Sequence, residues 1–546
     1  MNFNISHSLT ESAARAGDRV GLIEVVSGKQ ISFTELARRS DAYAHILTRK
    51  GVVPGSKVML MVNPSVDFIC LSFALFKIGA PVILIDPGMG YKNLLRCIEG
   101  VHPDVFIGIP KAYLFRLVFR KPFTSVTHNF CCGSSMGLLG PDIRKQADKD
   151  FGPYQANEGA EDDLAAIIFT TGSTGPPKGV RYEHGVFRAQ LQLIRDYYGI
   201  SAGDVDQPAF PLFALFSTAL GATAVIPDMD PSRPAHVDPE KFVNSIQKYG
   251  VTYSFGSPAI WNVIAGYCDK RDNRLRTVKK ILMAGAPVSG GLIERMQNVL
   301  PKSSSIHTPY GATESLPIVS IEGREITEQT WELSRLGKGT CVGRALPGIE
   351  IAVIAVTDQI IPQLYRDTFL GPYEIGEIIV RGAVVTRAYE NNEQETLMAK
   401  IPDGHTFWHR MGDVGYLDSD NRLWFCGRRA HCVITYESGR KKTLYPIPCE
   451  AIVNEHPEVF RSALVGVPDS LHKVVPVIII EPVKGCTMDP TILLQEIERI
   501  VRKSPLTENI QRFLIHPDFP VDIRHNAKIF REKLSVWAAN QLGGSA

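Results

Sequence analysis

Charge of one sign is what this chain most lacks. Its 59 Lys and Arg residues face 57 Asp and Glu, a formal net charge of +2. That balance gives no support to nucleic-acid binding as the main function. Long apolar runs are missing too: the longest, 68–85, is broken by Lys77, Gly79 and Pro81. It reads as a helix, a turn and a buried strand, not as a membrane span. The first residues, Met-Asn-Phe-Asn-Ile-Ser-His, hold neither a basic region nor an apolar core, so no secretory signal is expected there. Of the ten cysteines only Cys131 and Cys132 adjoin, and no Cys-x-x-Cys occurs. A disulfide framework and a common zinc site are thereby excluded, and we expect reduced thiols in a cytoplasmic protein. Fixed-period repeats and low-complexity tracts are also missing.

What is present is ordinary globular material. At 546 residues the chain is too long for one core and should divide. Short β-branched runs at 57–62, 82–86, 105–109, 164–169, 223–226, 280–284 and 377–380 read as strands. They alternate with helical patterns such as 34–50 and 66–78, which predicts a layered α/β fold of the αβαβα type. Near Gly427 a strand-like run closes and a polar, Arg- and Lys-rich segment follows. We therefore expect a large domain over 1–427 and a small, hinged α+β domain over 428–546. The latter should carry strands at 463–467 and 475–481 and helices at 490–503 and 529–541. One stretch, 111–121, mixes aromatic and basic residues at helical spacing. It reads as a helix packed on the sheet, with a membrane-lying or entrance-shielding helix as the alternative.

The most informative segment is 169–180, Phe-Thr-Thr-Gly-Ser-Thr-Gly-Pro-Pro-Lys-Gly-Val. It follows directly on the apolar run 164–169. Glycines allow close backbone approach, while free N–H groups, hydroxyls and one lysine suit a triphosphate. It is not a Walker-type loop, where Lys directly follows Gly and precedes Ser or Thr; Lys178 stands between Pro177 and Gly179. Four further sites follow in order. Met-Ala-Gly-Ala-Pro at 283–287 ends a strand and would lay backbone against an adenine. Tyr-Gly-Ala-Thr-Glu at 310–314 sets a hydroxyl beside a carboxylate. Met-Gly-Asp-Val-Gly-Tyr at 411–416 holds Asp413 between glycines, suited to ribose hydroxyls. Asn-Ala-Lys at 526–528 places a lysine before the last amphipathic helix.

This ordered set resembles the adenylate-forming superfamily of acyl-CoA synthetases, luciferases and adenylation domains, over essentially the whole chain. The resemblance implies that ATP is bound by Thr170, Thr171, Gly172, Ser173, Thr174, Gly175 and Lys178. Gly285, Ala286, Tyr310 and Gly311 would border the adenine. Thr313 and Glu314 would face the α-phosphate, and Glu314 with Thr174 would hold Mg²⁺. Asp413 and Arg428 would take the ribose. Lys528 would bridge the substrate carboxylate and the α-phosphate, so that Lys528, Glu314, Thr174 and Lys178 form the implied catalytic set. The physics agrees, because a cation between two anions lowers their repulsion as the new bond forms.

Two departures refine the resemblance. Thioester-forming members carry an acid at the hinge within Gly-Arg-x-Asp, then a short Lys-x-x-Gly hairpin. Here the hinge reads Gly427-Arg428-Arg429-Ala430-His431-Cys432, Ile434 replaces the lysine, and the next glycine, Gly439, comes late. The segment 210–216, Phe-Pro-Leu-Phe-Ala-Leu-Phe, has Ala214 where many acyl-CoA synthetases have histidine, and suits an alkyl-lined pocket as well as a buried element. With 225–235 and 519–528, these features resemble the olefin β-lactone synthetase branch. That branch activates a 2-alkyl-3-hydroxyalkanoic acid as acyl-AMP, and the substrate's own hydroxyl then closes the lactone. His431 and His525 are candidates to receive the hydroxyl proton. The branch implies a long-chain β-hydroxy acid as substrate and a thiolase, a reductase and a β-lactone decarboxylase as pathway neighbours, without a transmembrane segment. Two rivals remain: an acyl-CoA or acyl-carrier ligase with a divergent hinge, and an inactive fold that binds a fatty acid or a protein. Retention of Lys178, Glu314, Asp413 and Lys528 weighs against the last.

Overall fold

The computed structural model describes residues 3–543, apart from 136, 137, 140, 171–175, 211, 438, 469–472 and 523–527. Apolar strands buried on both faces need helices on both sides, and that is how the first sheet is built. Its six strands run in the order His128–Cys131, Val105–Gly108, Val58–Met61, Val82–Leu84, Leu164–Phe169 and Gly179–Glu183. Neighbours are parallel except the last pair, Leu164–Phe169 with Gly179–Glu183. Chain order reverses direction between Val58–Met61 and Val82–Leu84. In such sheets the crevice outside the carboxyl ends at this switch point is where ligands bind.

Helix Val66–Ile78 shows how the local chemistry sets an element. Ser65 caps its first turn by accepting from the Phe68 N–H, and Gly79 ends it in the left-handed region at φ +77°. All its residues but Asp67 are buried, so it is a core helix between layers. The helix Pro110–Val118 packs on the sheet, with Tyr113 edge-on to Phe106 at 5.0 Å. Its other side leaves Leu114, Leu117 and Val118 exposed.

A second sheet has 14 strands. One half is parallel, from Val20–Glu24 through Thr223–Ile226, Val205–Asp206, Tyr253–Gly256 and Lys280–Met283 to Ser305–Ala312. The other half is antiparallel and includes Ser315–Glu322, Thr340–Ala345, Gly376–Arg381, Thr406–Leu417 and Leu423–Arg428. The architecture is thus the expected α/β type, a large amino-terminal unit followed by a smaller carboxy-terminal one. In the smaller unit the hairpin Val433–Glu437/Arg440–Leu444 precedes a three-stranded sheet of Val459–Pro468, Val474–Pro482 and Arg512–Ile515. Helices Pro446–Val453 and Pro490–Val501 cover one face, and Arg531–Gln541 packs on the other. The hairpin pairs five residues from each strand around Gly439, so the late glycine corresponds to a longer hairpin.

All ten cysteines are free thiols, eight of them buried. Among the described residues no helix is long and apolar enough to cross a membrane.

Candidate active site

The carboxyl ends of the parallel strands from both sheets open into one cavity of about 1270 Å³. Thr170, Lys178, Gly285, Ala286, Tyr310, Gly311, Thr313, Glu314, Asp413, Arg428 and Lys528 all line it. Residues separated by more than 350 positions in sequence therefore share one space. Thr171, Gly172, Ser173, Thr174, Gly175 and His525 lie outside the described residues.

The glycine-rich segment 170–178 joins the antiparallel strands Leu164–Phe169 and Gly179–Glu183. The Thr170 N–H donates to the Lys178 carbonyl at 3.0 Å and closes its base. The Lys178 ammonium pairs with Glu395 and lies 5.2 Å from the centre of the Tyr389 ring. Tyr389 in turn donates its O–H to Glu314 Oε1 at 2.8 Å. Burial, then the Glu314 charge, pushes the Tyr389 phenol up, so it stays a donor at any ordinary pH. Glu314 is fixed by its backbone as well: its carbonyl accepts from the Thr386 N–H at 2.9 Å and from the Thr386 hydroxyl at 3.1 Å. Behind it the buried Lys400 ammonium donates to the Thr386 carbonyl. Burial lowers the Lys400 pKa to about 7, against opposing pulls from Glu314 and Glu183.

Tight turns shape the wall opposite. Gly285 sits at φ +98°, and a Cβ at Gly311 would stand 2.5 Å from the Ser315 carbonyl oxygen. Tyr310 projects from the end of Ser305–Ala312 and donates to Asp413 Oδ2 at 2.5 Å. Asp413 is placed by strand pairing, directly across from Arg428 in the Thr406–Leu417/Leu423–Arg428 ladder. Arg428 Nη1 lies 3.0 Å from Asp413 Oδ1 but aims its hydrogen bond at the Met411 carbonyl, 3.1 Å away. Asp413 Oδ1 is consequently buried without a hydrogen bond among the described residues. Burial raises the Asp413 pKa, while Arg428, Tyr310 and Lys528 oppose the rise.

Lys528 stands where the chain on either side of 523–527 is tied together. Asp522 N–H donates to the Lys528 carbonyl at 2.9 Å, and Val521 bridges Ile529. Ala430 and His431, from the turn after Leu423–Arg428, also line the cavity. His431 Nε2 is 3.1 Å from Glu532 Oε1 on the final helix. Burial, then Arg531, lowers the His431 pKa; Glu532 pulls the other way. Of the apolar segment, Phe210, Leu212, Phe213, Leu215 and Phe216 line the cavity. The alkyl-pocket expectation agrees with that placement.

Several site neighbours carried no sequence signal. Glu395 is 217 residues from Lys178, and Tyr389 is 75 from Glu314. Only the fold brings them together.

Comparison with known proteins matches that geometry. A profile of AMP-binding enzymes matches residues 9–390. The chain belongs to the AMP-binding enzyme family. It is 44% identical over 520 residues to the olefin beta-lactone synthetase of Stenotrophomonas maltophilia (strain K279a), covering 94% of this chain and 92% of that protein. The olefin beta-lactone synthetase of Xanthomonas campestris pv. campestris is 43% identical, over 94% of this chain and 91% of its own. Among solved structures, the amide bond synthetase McbA from Marinactinospora thermotolerans superposes with a TM-score of 0.81 at 21% identity. That match covers 98% of this chain and 99% of McbA, and it speaks for the fold. This AMP-binding enzyme is of the ligase type.

Proposed function

We propose that the enzyme uses ATP to activate a 2-alkyl-3-hydroxyalkanoic acid as its acyl-adenylate, then closes the adenylate to a β-lactone. The observation that carries this reading is the continuous cavity. At one end it gathers Lys178, Glu314, Asp413 and Lys528, at the other it is apolar, and Ala430 stands on its wall. The two β-lactone synthetase relatives support the same choice.

The buried Asp413 Oδ1, ion-paired to Arg428 but accepting no hydrogen bond among the described residues, fits a ligand that donates hydroxyl groups, as a ribose does. Tyr310 and the backbone at Gly285 and Ala286 border the adenine in this reading. Lys178 and residues 170–175 take the phosphates, and Lys178 exchanges Glu395 for them. Glu314, with Thr174, would hold Mg²⁺, since a carboxylate with phosphate oxygens is its usual donor set. When bound, that ion neutralises phosphate charge.

In the first step a carboxylate oxygen of the substrate attacks the α-phosphorus of ATP, and the bond to diphosphate breaks. Lys528 lies between the two anions and stabilises the charge that develops. In the second step the 3-hydroxyl oxygen attacks the acyl carbon, and the acyl carbon–oxygen bond to AMP breaks. We assign the hydroxyl proton to His431. With Nε2–H donating to Glu532, its Nδ1 is the basic nitrogen, and the lowered pKa keeps it neutral. The nucleophile is tethered to its target, and well-oriented intramolecular attack contributes about 7–11 kcal/mol. An external thiol is then unnecessary, in keeping with alanine at position 430 and the lengthened hairpin. Residues 428–546 act in this reading as a small domain hinged at Gly427, which carries Lys528 to the adenylate.

In the cell such an enzyme would stand between a thiolase and reductase that build the hydroxy acid and a decarboxylase that consumes the lactone. The test is direct. With ATP, Mg²⁺ and a 2-alkyl-3-hydroxy fatty acid, diphosphate should be released and the product should be one water lighter than the acid. A stable acyl-adenylate with no lighter product would remove the second step from the account.

A further inference from the structure

Part of the cavity is lined by Ile194, Tyr198, Phe216, Phe255 and Leu282, which form one apolar cluster. Its floor is unlike its walls. Asp206, only 1% exposed, lines the cavity there together with Ser217 and Tyr253. Depth follows from register. Asp206 pairs with Tyr253, the first residue of the strand Tyr253–Gly256, whereas Gly256 pairs with Met283 at the nucleotide end. Three residue steps of about 3.3 Å put Asp206 roughly 10 Å below that end.

The hydrogen bonding of Asp206 is incomplete in a specific way. Ser217 Oγ meets Asp206 Oδ2 and also lies 2.9 Å from the Phe213 carbonyl oxygen. A serine has one proton. With that proton on the Phe213 carbonyl, the carboxyl proton of Asp206 lies between Oδ2 and Ser217 Oγ. A neutral carboxyl is what this setting favours: burial pushes its pKa well above the usual carboxylate range, and Asp204, the charge facing it, pushes the same way. Oδ1 is left as an acceptor with no well-formed hydrogen bond among the described residues, and the Tyr253 phenol, which interacts with the same carboxyl, is the neighbouring donor. A buried acceptor left unserved costs about 1–3 kcal/mol. Apolar walls leading to an unserved acceptor describe a binding site for a chain that bears a donor.

We propose that Asp206 recognises a hydroxyl group carried along the acyl chain, so that this part of the cavity selects a hydroxylated alkyl chain over an unsubstituted one. The proposal rests on the reading that the cavity takes an acyl chain. It adds a second polar contact, remote from the reacting 3-hydroxyl, and a specificity-determining residue on a strand of two residues.

Binding separates the two readings without turnover. The whole protein would be titrated by calorimetry with a saturated fatty acid and with its positional isomers bearing one alcohol at successive carbons beyond the third. We expect one isomer to bind roughly tenfold more tightly than the unsubstituted acid, and Asp206→Leu to abolish or reverse that preference. No preferred isomer, or a preference that survives in Asp206→Leu, overturns the proposal and leaves the carboxyl served by water. No binding of any fatty acid overturns the acyl-cavity reading itself. Should Asp206→Leu fail to fold, difference infrared spectra of the unmodified protein decide. The neutral-carboxyl carbonyl band should shift with the preferred isomer and stay put with the saturated acid; equal shifts refute the role of Asp206.

Discussion

The two ends of the cavity are built on opposite principles. At the end that gathers the motif residues, charges come in pairs: Lys178 with Glu395, Glu314 with the Tyr389 hydroxyl, Asp413 with Tyr310 and Arg428. In the apolar part of the cavity the Asp206 carboxyl sits among aromatic and aliphatic walls with no cationic partner among the described residues. Matched charges hold side chains in place before a ligand arrives, which is the preorganisation that electrostatic catalysis requires. An unmatched group in an apolar part of a cavity discriminates among ligands, because it penalises those that fail to pair with it. The first end would serve any adenylate-forming enzyme. The second, with Ala430, is where this protein becomes particular.

Substitutions can sharpen the contrast. Lys528→Ala should have the largest effect, slowing diphosphate release by roughly 10²–10³-fold while ATP affinity, followed by equilibrium titration, falls much less. Equal loss of both would refute a role confined to the reaction. Next, Asp413→Ala should weaken ATP binding by about 1.5–3 kcal/mol, the worth of hydrogen bonds to a charged group; an unchanged Kd would remove the ribose from this site. His431→Gln should act on the second step alone. A rapid-quench burst of acyl-adenylate should persist while lactone formation slows by about 10²-fold. If the burst disappears, His431 holds the site together and does not accept the proton.

The smallest expected effect is a pH dependence. Burial lowers the Lys400 pKa from 10.5 to about 7. Between those values the unfolded chain binds the proton and the folded chain does not, so this group makes stability rise with pH across that window. Relative to Lys400→Met, the wild-type Tm should therefore climb from pH 7 toward 10. A flat difference would mean that Lys400 keeps its proton in the fold.

Much of this contrast was legible in the sequence, but unevenly. The strands Leu164–Phe169 and Thr223–Ile226 and the helix Val66–Ile78 fall at their expected bounds, since each is a dense apolar run ended by a turn residue. Helix 490–503 ends earlier, at Val501; 463–467 extends to Val459–Pro468, because pairing with Val474–Pro482 recruits flanking residues, Arg461 and Ser462 among them, that pattern alone leaves out. The merging of the parallel strands with the Thr340–Arg428 region into one sheet could not be read, because strand pairing is long-range. The same holds at the site. Short ordered motifs carry Lys178, Glu314, Asp413 and Lys528, whereas Tyr389, Glu395, Lys400 and Asp206 stand in no motif. Their meaning comes from what the fold sets beside them.

The account turns on the acceptor. The decisive measurement is the product formed from ATP and a 2-alkyl-3-hydroxy fatty acid, analysed by mass spectrometry with and without CoA. The structure leads us to expect a β-lactone one water lighter than the acid, at a rate that CoA does not change. A thioester formed only when CoA is present would contradict it.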